Sequence, residues 1–462
     1  MARISLINIS YSLFFYKFAT GSPLQTRDNN SPLNDKSNTV ILISIDGFYQ
    51  DYFNRGLTPN IANLGKGGVF ANYMTPVFPS VTFPNHYTIA TGLYPEQHGI
   101  IANSFYSKKF NATFTYEDSS QEESRWWGGE PIWVTAEKNK LISSVDQFPG
   151  SEAEIMGYRP TFHTPYNESI PMLPKMDRLV NLLQLPAAQR PALLISYFVE
   201  LDNMGHAFGP NSKEVNATLV QIDSAFKYLI DQLVSKSLFD KVNIIIVSDH
   251  GMESSLIPRD VIFVNSLLDQ ANLELSQNPK RSKCLSLKPT KEKILDVHLV
   301  PHAGIYPVDD KDIMPIYKKL KIVEDKTKFN VYLKKDIPER YIFELNDRIP
   351  PVLVVSNEPI IMLYNATEYN SSELSKRSSG IDKRQVVGEY PYGMHGYDNT
   401  LENMRAIFIG HGPAFKSPKV PTPSTNFPGV DAIDVYNVMA KLLKVAPAKN
   451  EGNPSVALNM VL

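Results

Sequence analysis

Six side chains in this sequence could hold metal ions, and each closes an apolar run or sits beside glycine. Asp46 ends the run in "TVILISIDGF", and Asp202 and His206 follow the run in "PALLISYFVELDNMGHAFGP". Asp249 and His250 end "KVNIIIVSDHGM", and His395 lies in the glycine-flanked "PYGMHGYDN". Each alone has an ordinary reading. Asp-Gly after a strand makes a turn, a lone histidine is structural, and Ser-Asp-His-Gly makes a tight turn. Together they bring three carboxylates and three imidazoles from distant parts of the chain. Zinc accepts such ligands, usually about four per ion, so six groups suit two metals with room for a nucleophile and a substrate. Two metals about 4 Å apart would clamp the attacking and leaving oxygens of a displacement at phosphorus.

Thr82 in "PSVTFPNHYTIATGLYPEQHG" is a candidate for that nucleophile. Its place before Pro84 predicts a helix N-cap. A free hydroxyl is a weak nucleophile at neutral pH, but a bound cation can draw off its proton. The start of a helix also offers positive charge and N–H donors to a phosphate. Cap and nucleophile are compatible roles.

The elements that must position these groups are continuous apolar runs, including a fourth in "MRAIFIGHGPAF". Such runs predict strands buried on both faces of a parallel sheet. Helical patterns such as residues 213–236 alternate with them, so the fold class is a doubly wound α/β fold, with ligands at the carboxyl ends of the strands. Residues 267–380 are mixed in pattern and are expected to form an insert or subdomain built onto the same sheet. Residues 38–448 are expected to be the catalytic domain and 449–462 a tail.

The chain has 462 residues and 43% hydrophobic composition, enough for a large core. Its 46 basic and 48 acidic residues leave a net charge of −2, which argues against nucleic-acid binding by bulk electrostatics. The 34 prolines predict long ordered loops, and the single cysteine, Cys284, excludes an intrachain disulfide. Residues 1–22 have the shape of a signal peptide, with a short signal anchor or a disordered leader as alternatives, and 23–37 read as a flexible leader. Asn111, Asn167, Asn216, Asn365 and Asn370 stand in glycosylation sequons, as do Asn8 and Asn29. The expectation is a secreted, luminal or cell-surface monomer, membrane-bound only if the leader stays as an anchor.

"ISIDGF", "PSVTFPNHYTIATGLYPEQHGIIAN", "GEPIWVTA", "PGSEAEIMGYRPTF", "ELDNMGHAFGP", "VSDHGM", "LKKDIPERY", "NDRIPP", "MHGYDN" and "GHGPAFK" occur in one order. Over residues 39–445 they resemble the catalytic domain of the ectonucleotide pyrophosphatase/phosphodiesterase family, in the alkaline phosphatase superfamily. The resemblance implies an alkaline-phosphatase-like α/β fold: a mostly parallel central sheet, helices on both faces and an inserted subdomain. It implies two zinc ions. One would take Asp202, His206 and His395; the other would take Asp46, Asp249, His250 and the Thr82 oxygen. Thr82 would be the nucleophile. Asn103 would hold a phosphate oxygen with the Thr82 N–H, Phe83 and Tyr166 would sandwich a nucleobase, and Tyr197 would be a further pocket tyrosine. The implied activity is release of nucleoside 5′-monophosphates from ATP-like or dinucleotide substrates through a phospho-threonine intermediate. Ser104 stands where some nucleotide-cleaving members have Lys, and "VELDNMGH" departs from the Glu-Glu-Pro-Asp form.

The remaining histidines receive structural readings. His86 and His98 are expected to support the active-site loop by hydrogen bonds. His298 and His302 are kept off one helix face by Pro301, and His163 and His411 have no evident partner. Trp126, Trp127 and Trp133 are expected in packing. Three other functions compete with nucleotide hydrolysis. A zinc phosphodiesterase acting on lysophospholipid or choline diesters would use the same metals. An inert binding protein would not need six buried polar groups, and a sulfatase would need a Cys in place of Thr82.

Overall fold

The computed structural model describes residues 38–255, 260–275, 293–298, 300–363, 392–416 and 426–462. The leader, Cys284, Asn365 and Asn370 lie outside the described residues.

A seven-stranded sheet forms the centre. Its order is Val69–Phe70, Phe408–His411, Asn243–Val247, Val40–Ile45, Leu193–Phe198, Ser143–Asp146 and Phe162–Thr164. The five strands from Asn243–Val247 to Phe162–Thr164 run parallel, and Phe408–His411 pairs antiparallel with Asn243–Val247. Every residue of Val40–Ile45, Leu193–Phe198 and Asn243–Val247 is buried, as continuous apolar runs require of strands covered on both faces. Alternate side chains still serve opposite faces. Leu42, Ile195 and Ile245 join the core that holds Phe83, Trp126 and Trp133. Ile41, Ile43 and Ile244 join the core under helix Lys213–Ser235, through its Leu219, Ile222, Phe226 and Leu233. That helix starts at Ser212, whose side chain accepts from the Val215 N–H.

Two expectations are corrected. The mixed region is not an extension of the central sheet. It makes its own five-stranded sheet, ordered Glu274–Leu275, Lys293–His298, Ala303–Pro307, Val352–Ser356 and Phe329–Leu333, over a separate core. Polar clamps join this lobe to the segment after Thr82. The Glu96 Oε2 accepts from Glu344 and Leu345 N–H, and the Arg348 guanidinium donates to Gly99, Trp126 and Arg125 carbonyls. Residues 449–462 are not a loose tail either. They fold into helix Pro454–Met460, with Ala457, Met460 and Val461 buried in the main core and the Lys416 N–H bonded to the Met460 carbonyl. The apolar Val-Ala-Leu-Asn-Met spacing supplies a stripe too short to be conspicuous in sequence.

All three tryptophans are buried. Among the described residues no helix is long and apolar enough to cross a membrane.

Candidate active site

The strand ends deliver the expected ligands to one point. Asp46 follows Val40–Ile45, and Asp249 and His250 follow Asn243–Val247. Asp202 and His206 lie one turn apart on helix Glu200–Phe208. Gly47, at φ +66°, allows the approach: a Cβ there would stand 3.1 Å from the Asp202 Oδ1 and 3.2 Å from its Cα.

The three imidazoles are oriented alike. The Nδ1 atoms of His206, His250 and His395 donate to the carbonyls of Gly393, Gly251 and Ser80, at 2.8, 2.9 and 3.0 Å. A carbonyl only accepts, so these contacts place the proton on Nδ1 and leave the Nε2 lone pairs facing the cluster. There the His206 and His395 Nε2 atoms stand 3.1 Å apart, 3.4 and 3.5 Å from Asp202 carboxylate oxygens. The His250 Nε2 lies 3.0 Å from Asp249 Oδ2, 3.3 Å from Asp46 Oδ1 and 3.4 Å from the Thr82 hydroxyl. The ligand atoms thus converge on one cluster, in which those of Asp202, His250 and His395, and those of Asp46, His86 and Asp249, lie within 4.8 Å of one another.

Electrostatics test whether metals fit. Asp46, Asp202 and Asp249 are buried, and the Asp46 Oδ1, Asp202 Oδ1 and Asp249 Oδ2 atoms accept no hydrogen bond. Burial, then the Asp249 and Asp202 charges, push the Asp46 carboxyl well above its usual range. Burial also opposes charge on Asp249, but His250 and His86 hold it well below that range. Burial, His250 and His206 push His395 down. A cation between the Nε2 atoms and these unsatisfied carboxylate oxygens would satisfy both. The cluster fits metal ions, and oxygen and nitrogen donors without thiolates suit zinc.

The cap expectation for Thr82 is corrected. Helix Thr82–Thr91 begins with Thr82 itself, and Val81 is the cap residue. The Asn85 N–H bonds the Val81 carbonyl, and Pro84 has no N–H for a threonine cap to satisfy. Asn85 ties down the entering loop instead. Its Oδ1 accepts from the Val77 N–H at 2.7 Å, and its Nδ2 donates to the Pro79 and Val81 carbonyls at 3.1 and 2.9 Å. The Thr82 hydroxyl is thereby left to the histidine cluster.

The comparisons with known proteins give the family. The family model of type I phosphodiesterase / nucleotide pyrophosphatase matches residues 40–398. The chain belongs to that family. It is 34% identical to an uncharacterized pyrophosphatase/phosphodiesterase of Schizosaccharomyces pombe, over 98% of this chain and 86% of that protein. It is 34% identical to human ectonucleotide pyrophosphatase/phosphodiesterase family member 1, over 89% of this chain but 40% of that protein. The chain therefore spans less than half the length of that human relative. Among solved structures, murine ectonucleotide pyrophosphatase/phosphodiesterase 5 superposes with a TM-score of 0.75 at 29% identity, over 91% of this chain and 99% of that one. That structure is an inactive threonine-to-alanine variant in complex with AMP. The fold is the α/β fold of these enzymes, and the chain is a hydrolase of the pyrophosphatase/phosphodiesterase type.

The other site residues divide. The Asn103 Oδ1 accepts from the Phe83 N–H at 2.9 Å, which puts its amide beside the start of the Thr82 helix. Phe83 is almost fully buried, its ring against Phe114, Tyr116 and Trp127 at 5.9, 5.8 and 6.2 Å. Tyr166 is 44% exposed on a loop, its ring 6.3 Å from that of Tyr197. Tyr197 is buried and its hydroxyl donates to Asp46 Oδ2, so it orients a metal-facing carboxylate. Its strand position explains this, since Tyr197 pairs in register with Ser44, two residues before Asp46.

Asn85 is a residue at the site's edge that the sequence reading did not single out, and Tyr116 packs against Phe83. Asn85 is three residues after Thr82, a spacing that signals contact with a helix entry; no sequence signal marks Tyr116. His98 and His302 serve structural bonds, with Thr88 and the Ile100 N–H for the first and the Ser356 N–H for the second. Of the sequons, Asn111 and Asn167 are exposed, whereas Asn216 is half-buried in a helix and accepts from Arg55.

Proposed function

We propose that the protein is a two-zinc nucleotide pyrophosphatase/phosphodiesterase that releases nucleoside 5′-monophosphates through a phospho-threonine intermediate. One observation carries the reading: three histidines commit Nδ1 to carbonyls and turn Nε2 onto three buried carboxylates beside the Thr82 hydroxyl. Asp202, His206 and His395 would hold one ion, and Asp46, Asp249, His250 and the Thr82 oxygen the other. When bound, such ions supply positive charge that lowers the hydroxyl pKa and neutralises phosphate oxygens.

The chain's own groups supply the rest. The Thr82 oxygen attacks the phosphorus attached to the nucleoside. The bond from that phosphorus to the leaving oxygen breaks, and the phosphoryl nucleoside stays on Thr82. Water then cleaves the Thr82–phosphate ester, freeing the monophosphate and restoring the hydroxyl. Asn103, anchored through its Oδ1 on the Phe83 N–H, keeps its amide N–H groups for a phosphate oxygen. Phe83 and Tyr166 would hold the base. The AMP in the murine relative supports a nucleotide, because that chain aligns with 91% of this one.

A signal-like leader and the exposed Asn111 and Asn167 support secretion and glycosylation. Enzymatic deglycosylation of protein made in a eukaryotic secretory host should then increase its gel mobility.

The deciding experiment is a rate comparison on the purified protein with ATP, a dinucleotide polyphosphate, a nucleotide monoester and a lysophospholipid. The proposal expects the first two to be cleaved fastest and monophosphate to appear. Fastest turnover of the lysophospholipid would replace it with the lipid-diesterase reading.

A further inference from the structure

We infer that His86 is a positioning residue that ties the Thr82 nucleophile to the metal-facing carboxylate of Asp249, with Ser44 fixing its orientation. The inference rests on the two-metal, threonine-nucleophile reading above. His86 is fully buried and lies four residues after Thr82 on the same helix, one turn away. Its Nδ1 is 2.9 Å from the Thr82 carbonyl oxygen and 3.3 Å from Asp249 Oδ2. Because the carbonyl only accepts, Nδ1 carries the proton. The Ser44 hydroxyl stands 2.8 Å from the other ring nitrogen, Nε2, and can donate to it or accept from it.

This settles what kind of neighbour His86 is. Its ligating atom falls within 4.8 Å of those of Asp46 and Asp249, the spacing of a metal-binding trio. Yet both ring nitrogens are already committed, one to a carbonyl and one to a hydroxyl. No lone pair is left for a cation. His206, His250 and His395 differ in the one respect that matters: each leaves Nε2 facing the cluster.

The ring plane is held from outside as well. The rings of Phe148 and Tyr197 meet His86 edge-on, at 4.9 and 5.0 Å. Tyr197 itself orients Asp46. His86 and Tyr197, in contact, thus back the two carboxylates nearest Thr82. The Thr82 backbone and Asp249 share one imidazole, so the attacking oxygen is indexed to the metal site. A misplacement of about 1 Å at a reacting atom can cost about a hundredfold in rate.

Three variants test this: His86→Leu, His86→Asn and Ser44→Ala. In His86→Asn the amide N–H can take the place of the Nδ1 proton on the Thr82 carbonyl. His86→Leu should lower kcat on a nucleotide diester about ten- to a hundredfold with KM within about twofold. One of two zinc ions should also pass to a chelator at about ten- to a hundredfold lower chelator concentration. His86→Asn should restore most of the kcat, and Ser44→Ala should give a few-fold loss in both readouts. Unchanged kcat and zinc retention in folded His86→Leu overturns the inference, as does His86→Asn performing no better than His86→Leu. If His86→Leu does not fold, Ser44→Ala decides, and wild-type values for it overturn the inference. Failure of the underlying reading looks different: the unmutated protein would hold no zinc, or Thr82→Ala would still turn over.

Discussion

The metal-facing cluster and the aromatic flank sit on either side of Thr82 and are built differently. In the cluster every imidazole has a fixed carbonyl partner, Asp249 accepts from the Gly47 and His250 N–H groups, and Asp46 accepts from Tyr197. Asp46, Asp249 and His250 hang on strand ends of the central sheet, Asp202 and His206 on helix Glu200–Phe208, and His395 follows the short strand Gly393–Met394, which pairs with Glu253–Ser254. On the flank, Phe83 is locked into packing by Phe114, Tyr116 and Trp127, while Tyr166 stands 44% exposed on a loop. The loop's contacts there include the Tyr166 N–H on Glu152, the Asn167 carbonyl on Gln147 and Glu168 on the Asn203 amide. Reactivity is thus built into rigid elements and substrate choice into a segment that can change without disturbing them.

The largest expected effect breaks the cluster at its reactive atom. Thr82→Ala should lower turnover at least about a thousandfold, as loss of a nucleophile does. It should leave zinc content and melting temperature near wild type, because the hydroxyl caps no helix N–H. Steady-state rates, metal analysis and thermal melting check the three parts. Near-normal diesterase activity would mean that water, not Thr82, attacks phosphorus.

A smaller effect sharpens the boundary between the regions. Tyr197→Phe removes only a hydroxyl and leaves Asp46 Oδ2 without its donor. If Tyr197 serves the cluster, zinc affinity should fall about ten- to a hundredfold, read by chelator competition, and saturating zinc should recover most of the activity. If it serves the flank, zinc affinity should not move and KM should rise.

The same contrast explains what the sequence revealed. Asp46, Asp249 and His250 were legible because the carboxyl ends of strands in a parallel sheet share one edge, while their division between two ions came only with the family resemblance. His395 was legible only because glycine flanked it; its arrival depends on Gly396, at φ +108°, packed against Pro301. The position of Thr82 was legible, but its role as a cap was misread by one residue. The Asn85 N–H that a threonine cap would take bonds the Val81 carbonyl instead, so the helix starts one residue earlier. A strand in the "PPVLVV" stretch was legible, but its place in a separate sheet was not, because that depends on pairing with Ala303–Pro307 and Phe329–Leu333, which a single sequence does not display. The carboxyl-terminal helix was hidden because its docking partners, near Phe415 and Tyr436, are distant in sequence. Partners of ligands, such as Tyr197 for Asp46, are set by cross-strand register, which a single sequence does not display.

The smallest expected effect lies on the flank. A metal pair grips phosphate without reading the rest of the substrate, so selectivity needs a contact beyond it. A base stacked on an aromatic ring contributes about 1–3 kcal/mol by alanine substitution. The Tyr166 ring is exposed at 44%, so the low end applies. Tyr166→Ala should therefore lower kcat/KM for a nucleotide diester about five- to tenfold, since about 1.4 kcal/mol is a factor of ten. A small diester with no base should be cleaved at the wild-type rate, because Thr82, Asn103 and the metal-facing groups are untouched. Equal losses on both substrates would show that the loop supports the cluster after all, and the division between a rigid reactive side and a replaceable selective side would fall.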